Sequence, residues 1–178
     1  IVLCWQPSGL AGSFLNMLDH LVACGYAPFV VANAPLSAAD RLSLMPRIWR
    51  SMERPNFGYD FGGYRDGLFM LRRWGIAPER MLILNDSVWF PLWDDDKTLE
   101  RAESAPFEVT GVFLRQRGAA RFLESYFFSI KGAVLDHPGF RAFWDGLRLT
   151  SNKYKVIRRG ERGFGEALQA AGITMGPL

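Results

Sequence analysis

Cysteine is scarce. The 178 residues contain two, Cys4 and Cys24. They lie in separate apolar runs and not at metal-ligand spacing, which excludes a disulfide scaffold and a cysteine zinc site. The expectation is two buried, reduced thiols, as in a cytoplasmic protein. Histidine is as rare, with His20 and His137 alone, and neither has a serine or cysteine partner in a nucleophile motif. No apolar run approaches the roughly 18 residues of a membrane span. The opening Ile-Val-Leu-Cys-Trp has neither the basic flank nor the cleavage site of a signal peptide. It starts without methionine inside a strand-like run, so the expectation is one domain cut from a longer protein. A dense basic stripe is also missing. The 21 basic and 18 acidic residues leave a net charge of +3, and the pairs Arg72-Arg73 and Arg158-Arg159 read as solvated helix faces. A nucleic-acid partner is therefore not expected. A weak leaning towards anionic ligands or peripheral contact with a membrane surface remains. P-loop, dinucleotide-binding fingerprint and HExxH are absent, as are repeats and low-complexity linkers.

What is there is ordinary in bulk and ordered in pattern. Hydrophobic residues make up 49% and charged residues 22%, typical of a globular domain long enough for one sizeable core. Residues 1–5 read as a buried strand. From Ser13 the apolar residues Phe14, Met17, Leu18, Leu21 and Val22 follow helical spacing, and Gly25 ends the helix. Residues 27–32 form a second buried strand that stops at Asn33. Strand, helix and strand in so short a span predict a βαβ unit with parallel strands. Ser37 caps a short helix stopped near Pro46, and 48–52 is a third strand candidate. A helix over Tyr64, Leu68 and Leu71 runs to Trp74, and 81–84 is a strand buried on both faces. Asp95 or Asp96 caps the helix that follows. Strands are expected at 107–114 and 125–130 with no helix between them, so the second half brings in an antiparallel piece. Helices follow at 135–147 and 163–171. The fold class is α/β, Rossmann-like, with three α/β/α layers around a mixed, mostly parallel sheet.

The chemistry concentrates in 54–92. Here a glycine-rich loop, Arg-Pro-Asn-Phe-Gly-Tyr-Asp-Phe-Gly-Gly, leads into a helix expected to start near Gly62. That helix leads into the buried strand ending on Asn85, Asp86 and Ser87. A carboxylate at the end of such a strand can hold a divalent cation against a diphosphate, or it can cap the next turn. In the loop, Arg54, Asn56 and Asp60 suit hydrogen bonds to a base, ribose or phosphate, and Gly58 and its neighbours let backbone approach a ligand. A sharp strand-to-helix turn would use the same glycines. Asp94-Asp95-Asp96 has the literal D-x-D spacing but precedes a polar helix, where aspartates are caps and dipole partners. Glu161 is either a general base for an acceptor hydroxyl or a solvated glutamate beside Arg158, Arg159 and Arg162. Trp89, Phe90 and Tyr126 lie where they could line an acceptor groove.

Four blocks resemble one family. They are RPNFGYDFGGYRDGL, LILNDSVWFPL, LESYFFSI and KVIRRGERGFGEALQAAG, and in this order and spacing they are similar to the rhamnan synthesis protein F family of bacterial polysaccharide glycosyltransferases. The resemblance implies a GT-A-like fold and transfer of a deoxyhexose, typically rhamnose from a dTDP donor, to a lipopolysaccharide O-antigen or similar cell-surface glycan. It implies a glycan or lipid-linked glycan acceptor and a place at the inner face of the cytoplasmic membrane. Asn85, Asp86 and Ser87 would stand for the D-x-D-like motif, with Asp86 holding Mg²⁺ or Mn²⁺. Asn56 to Asp60 would stand for the donor-binding segment, with Asn33 at the base or ribose. Glu161 would be the catalytic base of an inverting reaction. Two departures stand out: the D-x-D-like motif has a single acid, and Arg162 follows Glu161 where a second acid is usual. A binding module without catalysis, inside a larger assembly enzyme, is the alternative.

Overall fold

The computed structural model describes residues 1–178. In chain order the elements are β1 (Val2–Cys4), α1 (Gly12–Ala23), β2 (Phe29–Ala32), α2 (Ala38–Leu44), β3 (Arg50–Glu53), α3 (Tyr59–Arg73), β4 (Arg80–Asn85), α4 (Thr98–Ser104), β5 (Val109–Gly111), β6 (Leu114–Arg117), β7 (Ala120–Leu123), β8 (Phe127–Lys131), α5 (Gly132–Leu135), α6 (Pro138–Gly146), α7 (Lys153–Ile157), a π-helical turn (Arg158–Arg162), α8 (Gly163–Ala170) and β9 (Met175–Pro177). Seven strands form one sheet in the order β3-β2-β1-β4-β8-β5-β9. Only β8 runs against its neighbours; β1, β2, β3 and β4 are parallel, as are β5 and β9. The sheet is thus mixed and mostly parallel, as the alternation of strands and helices predicts.

Strand periodicity divides the core. Ile1, Leu3, Phe29, Val31, Met81 and Ile83 face one side, where α3, α6 and α8 bury Leu68, Trp144, Phe164 and Leu168. Val2, Cys4, Val30, Ala32, Leu82 and Leu84 face the other, against Phe14, Met17, Leu18 and Leu21 of α1. Each strand alternates between the two clusters because successive side chains point to opposite faces. Crossovers α1 and α2 cover one face and α3 the other, so the chain reverses direction across the sheet between β1 and β4. The carboxyl ends of those two strands are where open α/β sheets leave a crevice.

Several expectations need correction. Helix α3 starts at Tyr59, one turn before Gly62, with Gly58 as its N-cap at φ 81°. Gly62 and Gly63 are therefore inside the helix, where glycine is disfavoured by about 1 kcal/mol, and packing explains them. A Cβ on Gly63 would stand 1.9 Å from Leu3 Cδ1, and one on Gly62 2.2 Å from the Phe57 carbonyl oxygen. Strand β3 starts two residues later than 48–52 and ends one residue later. The spans 107–114 and 125–130 resolve into β5, β8 and an unforeseen hairpin, β6–β7, that stands off the main sheet. Strand β9 was likewise unforeseen. The helix over 135–147 is two pieces, α5 and α6, because Pro138 starts a new first turn with His137 as its cap. Cys24 is exposed at the end of α1, whereas Cys4 is buried. The N-cap of α4 is Lys97, without a side-chain cap bond, so neither Asp95 nor Asp96 is the cap; Asp96 instead accepts from the Thr98 backbone N–H at 2.8 Å in an Asx turn just ahead of the helix. No helix is long and apolar enough to cross a membrane.

Candidate active site

The glycine-rich loop is held from beneath by one arginine. Arg54 follows β3 and its side chain is nearly enclosed, 7% exposed. Its Nε donates to Asp66 Oδ2 at 2.7 Å, one terminal nitrogen to Asn33 Oδ1 at 2.7 Å and the other to the Phe57 carbonyl at 2.7 Å. Asn33, buried at the end of β2, donates its amide to Asn56 Oδ1 at 3.1 Å and to the Tyr59 carbonyl at 3.3 Å. Asn33 and Arg54, 21 residues apart, thus fix the turn 56–59. Tyr59 within it has φ 50°, a left-handed conformation that costs a non-glycine residue free energy and persists only when its surroundings hold it. Gly58 faces away, towards Leu149. The next residue along is Asp60, in the first turn of α3.

Asp60 meets β4. Asn85, 2% exposed at the end of that strand, donates its amide to Asp60 Oδ2 at 3.0 Å, and its own Oδ1 accepts from the Ser87 N–H at 3.1 Å. The Asp60 carboxyl lies above the ordinary aspartate range, first because of burial, with the Asn85 bond opposing and the charges of Asp86 and Glu161 adding to the rise. Asp86 Oδ2 accepts from the Trp5 N–H at 2.8 Å, which ties the ends of β4 and β1 together at the point where the sheet reverses. Cys4 sits beside it, and burial and the Asp86 carboxylate push its thiol up to about 12, so it stays a neutral thiol.

Glu161 arrives from the opposite end of the sequence. It does not open a helix, as expected, but lies within the π-helical turn between α7 and α8. Such turns carry one residue more than an α-helical turn and often occur at functional sites. The turn can press against α3 because residue 160 is glycine: a Cβ there would come within 2.4 Å of the Phe61 ring. Glu161 Oε1 accepts from the Ser125 hydroxyl at 2.7 Å. Ser125 is itself anchored through its carbonyl, which accepts from the buried Tyr64 hydroxyl at 2.8 Å.

These groups share a cleft of about 490 Å³, lined by Asp60, Asn85, Ser87, Ser125 and Glu161 on the sheet side and by the β6–β7 hairpin on the other. Of the residues singled out in the sequence, Asp60, Asn85, Ser87 and Glu161 come together in this cleft. Asp86 lies beside it, bonded to β1. Asn33, Arg54 and Asn56 lie deeper and brace the loop, with their polar atoms largely taken up by one another. Tyr126 lines the cleft, while Trp89 stands out in solvent, 75% exposed. Ser125, Arg115 and Arg117 line the cleft although nothing in the sequence marks them, and so does Arg162, which the sequence marks only as the residue after Glu161. The hairpin residues Leu-Arg-Gln-Arg and Ala-Arg-Phe-Leu lack a continuous apolar alternation, so a turn at Gly118 was their only sequence signal. No group of three or more His, Cys, Asp or Glu side chains is placed to hold a metal ion.

The uncharacterized protein y4gN of Sinorhizobium fredii is 33% identical over 181 residues, an alignment that covers all of this chain and 47% of that protein. The chain thus spans about half the length of the curated relative it matches. Among solved structures, CMP:2-keto-3-deoxy-manno-octonic acid synthetase complexed with CTP aligns with 100% of this chain and 88% of its own, at 11% identity and a TM-score of 0.49. At that score the likeness carries no functional weight. The family model described as rhamnan synthesis protein F matches residues 29–176, which take in the braced loop, β4, the hairpin and the π-helical turn, and the chain belongs to the rhamnan synthesis protein F family.

Proposed function

We propose that this chain is the catalytic, nucleotide-sugar-binding domain of a longer inverting glycosyltransferase with a GT-A-like fold. It transfers a deoxyhexose, rhamnose from a dTDP donor, to a hydroxyl of a bacterial cell-surface polysaccharide, with a free or lipid-linked glycan as acceptor at the inner face of the cytoplasmic membrane. The observation that carries the reading is the meeting of Asp60, Asn85, Ser87 and Glu161 around one cleft at the carboxyl end of β4. Membership of a rhamnan synthesis family supports the class of polymer.

In this reading Glu161 is the general base. The Ser125 hydroxyl occupies one carboxylate oxygen and leaves the other to take the acceptor's hydroxyl proton. That acceptor oxygen forms a bond to the anomeric carbon as the bond to the diphosphate breaks, and the nucleoside diphosphate leaves with the bonding electrons. Arg54, Asn33 and Asn56 hold the loop that presents Asp60 to the donor, and Asp86 stands at the joint of β1 and β4. The residues present fit a divalent cation in a limited way. Asp60 and Asp86 each have one oxygen committed and one free, and the Asp60 carboxyl, raised first by burial, is raised further by the charges of Asp86 and Glu161, which a cation would offset. Most of its ligands would be diphosphate oxygens and water. When bound, Mg²⁺ or Mn²⁺ would offset charge on the leaving group.

The test is a donor-dependent transfer or hydrolysis assay on Glu161→Gln and Asp86→Ala. Loss of a base costs about 100-fold or more in rate, so folded Glu161→Gln with full activity removes Glu161 from the role. One observation favours a second reading, a binding module without catalysis: the acids at the cleft do not form a three-ligand metal group. Calorimetry with dTDP, with and without Mn²⁺, followed by donor hydrolysis separates the two. Binding without turnover supports the module.

A further inference from the structure

The cleft has a second wall that the roles above leave unused. It is lined by three guanidinium groups, Arg115, Arg117 and Arg162, as well as by three carboxylates, Asp60, Glu124 and Glu161. One pair cancels: Arg115 binds Glu124, with its Nε 2.6 Å from Oε1. The other two arginines have nothing to bind. Arg117, at the last position of β6, is exposed, and no protein group pairs with its side chain. Arg162 is half-buried, its guanidinium 5.9 Å from the Phe122 ring centre, and its Nε is enclosed without an acceptor. A buried donor left unpaired costs about 1–3 kcal/mol, and the same guanidinium lines the cleft, where the oxygens of an anionic ligand can meet its charge. Both elements are built to stay put. Arg162 is held by the π-helical turn, and the hairpin is tied to α8 by the Arg121 N–H donating to Gln169 Oε1 at 3.2 Å.

We propose that Arg117 and Arg162 form a diphosphate-binding wall, and that the donor's diphosphate sits on these guanidiniums instead of depending on a metal ion alone. Guanidinium groups match phosphate oxygens in a planar, two-point geometry and stay charged at any working pH. The wall supplies positive charge where the acidic side of the cleft has none to give, next to Asp60 and Glu161. As the bond to the sugar breaks, the negative charge that develops on the leaving diphosphate meets two fixed cations. The inference rests on the glycosyltransferase reading for the identity of the donor, but not for the presence of a diphosphate site. A polyprenyl diphosphate on a lipid-linked acceptor would offer the same chemistry.

The test is calorimetry on the 178-residue chain in EDTA with four probes: inorganic pyrophosphate, dTDP, thymidine and farnesyl diphosphate. Pyrophosphate and dTDP are expected to bind without metal. Arg117→Gln is expected to weaken both by about tenfold or more, the loss of one charge-assisted contact, and to leave thymidine unaffected. Arg162→Gln should do the same. Arg162 also packs on Phe122, so the exposed Arg117 is the decisive variant, and its circular dichroism and Tm should match the parent. Binding of dTDP that is unchanged in Arg117→Gln overturns the proposal and leaves the glycosyltransferase reading standing. Pyrophosphate binding that depends on Arg117 without any dTDP binding keeps the anion site and removes the nucleotide-sugar reading. A response to Arg117→Gln by farnesyl diphosphate alone, or no binding of pyrophosphate at all, overturns the assignment to the donor.

Discussion

Arg54 and Arg117 are both arginines close to the candidate site, and their surroundings are opposite. Arg54 spends its guanidinium on an aspartate, an asparagine and a backbone carbonyl, and is almost sealed from water. Arg117 spends its own on nothing in the protein. The glycine-rich loop around Arg54 looks more like a binding loop in sequence, yet its polar atoms are closed on one another. The hairpin that carries Arg117 reads as an unremarkable polar stretch, yet it leaves its charge open to the cleft. A buried polar group with no partner inside the fold, such as the Arg162 Nε beside the same cleft, is a better sign of a ligand than a residue type inside a suggestive motif.

The sharpest way to break this comparison is to remove each arginine and measure unfolding. Arg54→Ala leaves the Asn33 Oδ1 and the Phe57 carbonyl without their donor and Asp66 with Arg65 alone, and should cost about 3 kcal/mol in urea denaturation. Arg117→Gln should change stability by no more than about 0.5 kcal/mol. Equal effects would mean that the two environments do not differ as described. A smaller effect is expected from Gly63→Ala. Its new methyl group would collide with Leu3 and should cost about 2 kcal/mol as overpacking, without changing affinity for pyrophosphate. If dTDP binding falls and stability does not, the glycine serves the ligand and not the packing of α3 on β1.

An effect smaller than that of Gly63→Ala is expected between the two regions, at Asp60. Its folded carboxyl is raised above the ordinary value of 3.8, so the folded protein holds that proton more tightly than the unfolded chain. The associated stability is fully present below pH 3.8 and is lost as pH rises through the raised folded value. Asp60→Asn keeps an acceptor for the Asn85 amide and removes that loss. It should raise Tm by a few degrees at pH 7, with the gain fading to nothing as pH falls below 3.8. A gain that persists at low pH would place its origin elsewhere than in ionisation.

How much was legible in the sequence follows from the same physics. The parallel half was legible because 1–4, 29–32 and 81–84 are apolar on both faces and are separated by helices with clear stripes. The antiparallel β8 was legible from the lack of a helix between 114 and 125. The start of α3 was missed because Gly62 and Gly63 resemble a loop, and only the closeness of Leu3 and Phe57 makes glycine right for a helix interior. The hairpin and β9 are short and carry little apolar alternation, so nothing local marks them. For the site, Asp60, Asn85, Ser87 and Glu161 were named from the sequence and do meet. Ser125 could not be named, because its bond to Glu161 spans 36 residues and depends on the bend of the π-helical turn.

That turn has a consequence for how the chain can change over time. A π-helical turn is a helix with one residue inserted, and each residue of a helix corresponds to about 100° of rotation. Losing a single residue from 158–162 would restore regular winding, yet it would swing Glu161 and Arg162 a quarter-turn or more relative to α8 and the hairpin. Substitutions in this stretch can be absorbed one side chain at a time. A change in its length cannot, so the gene segment encoding it should accept new letters far more readily than a codon gained or lost.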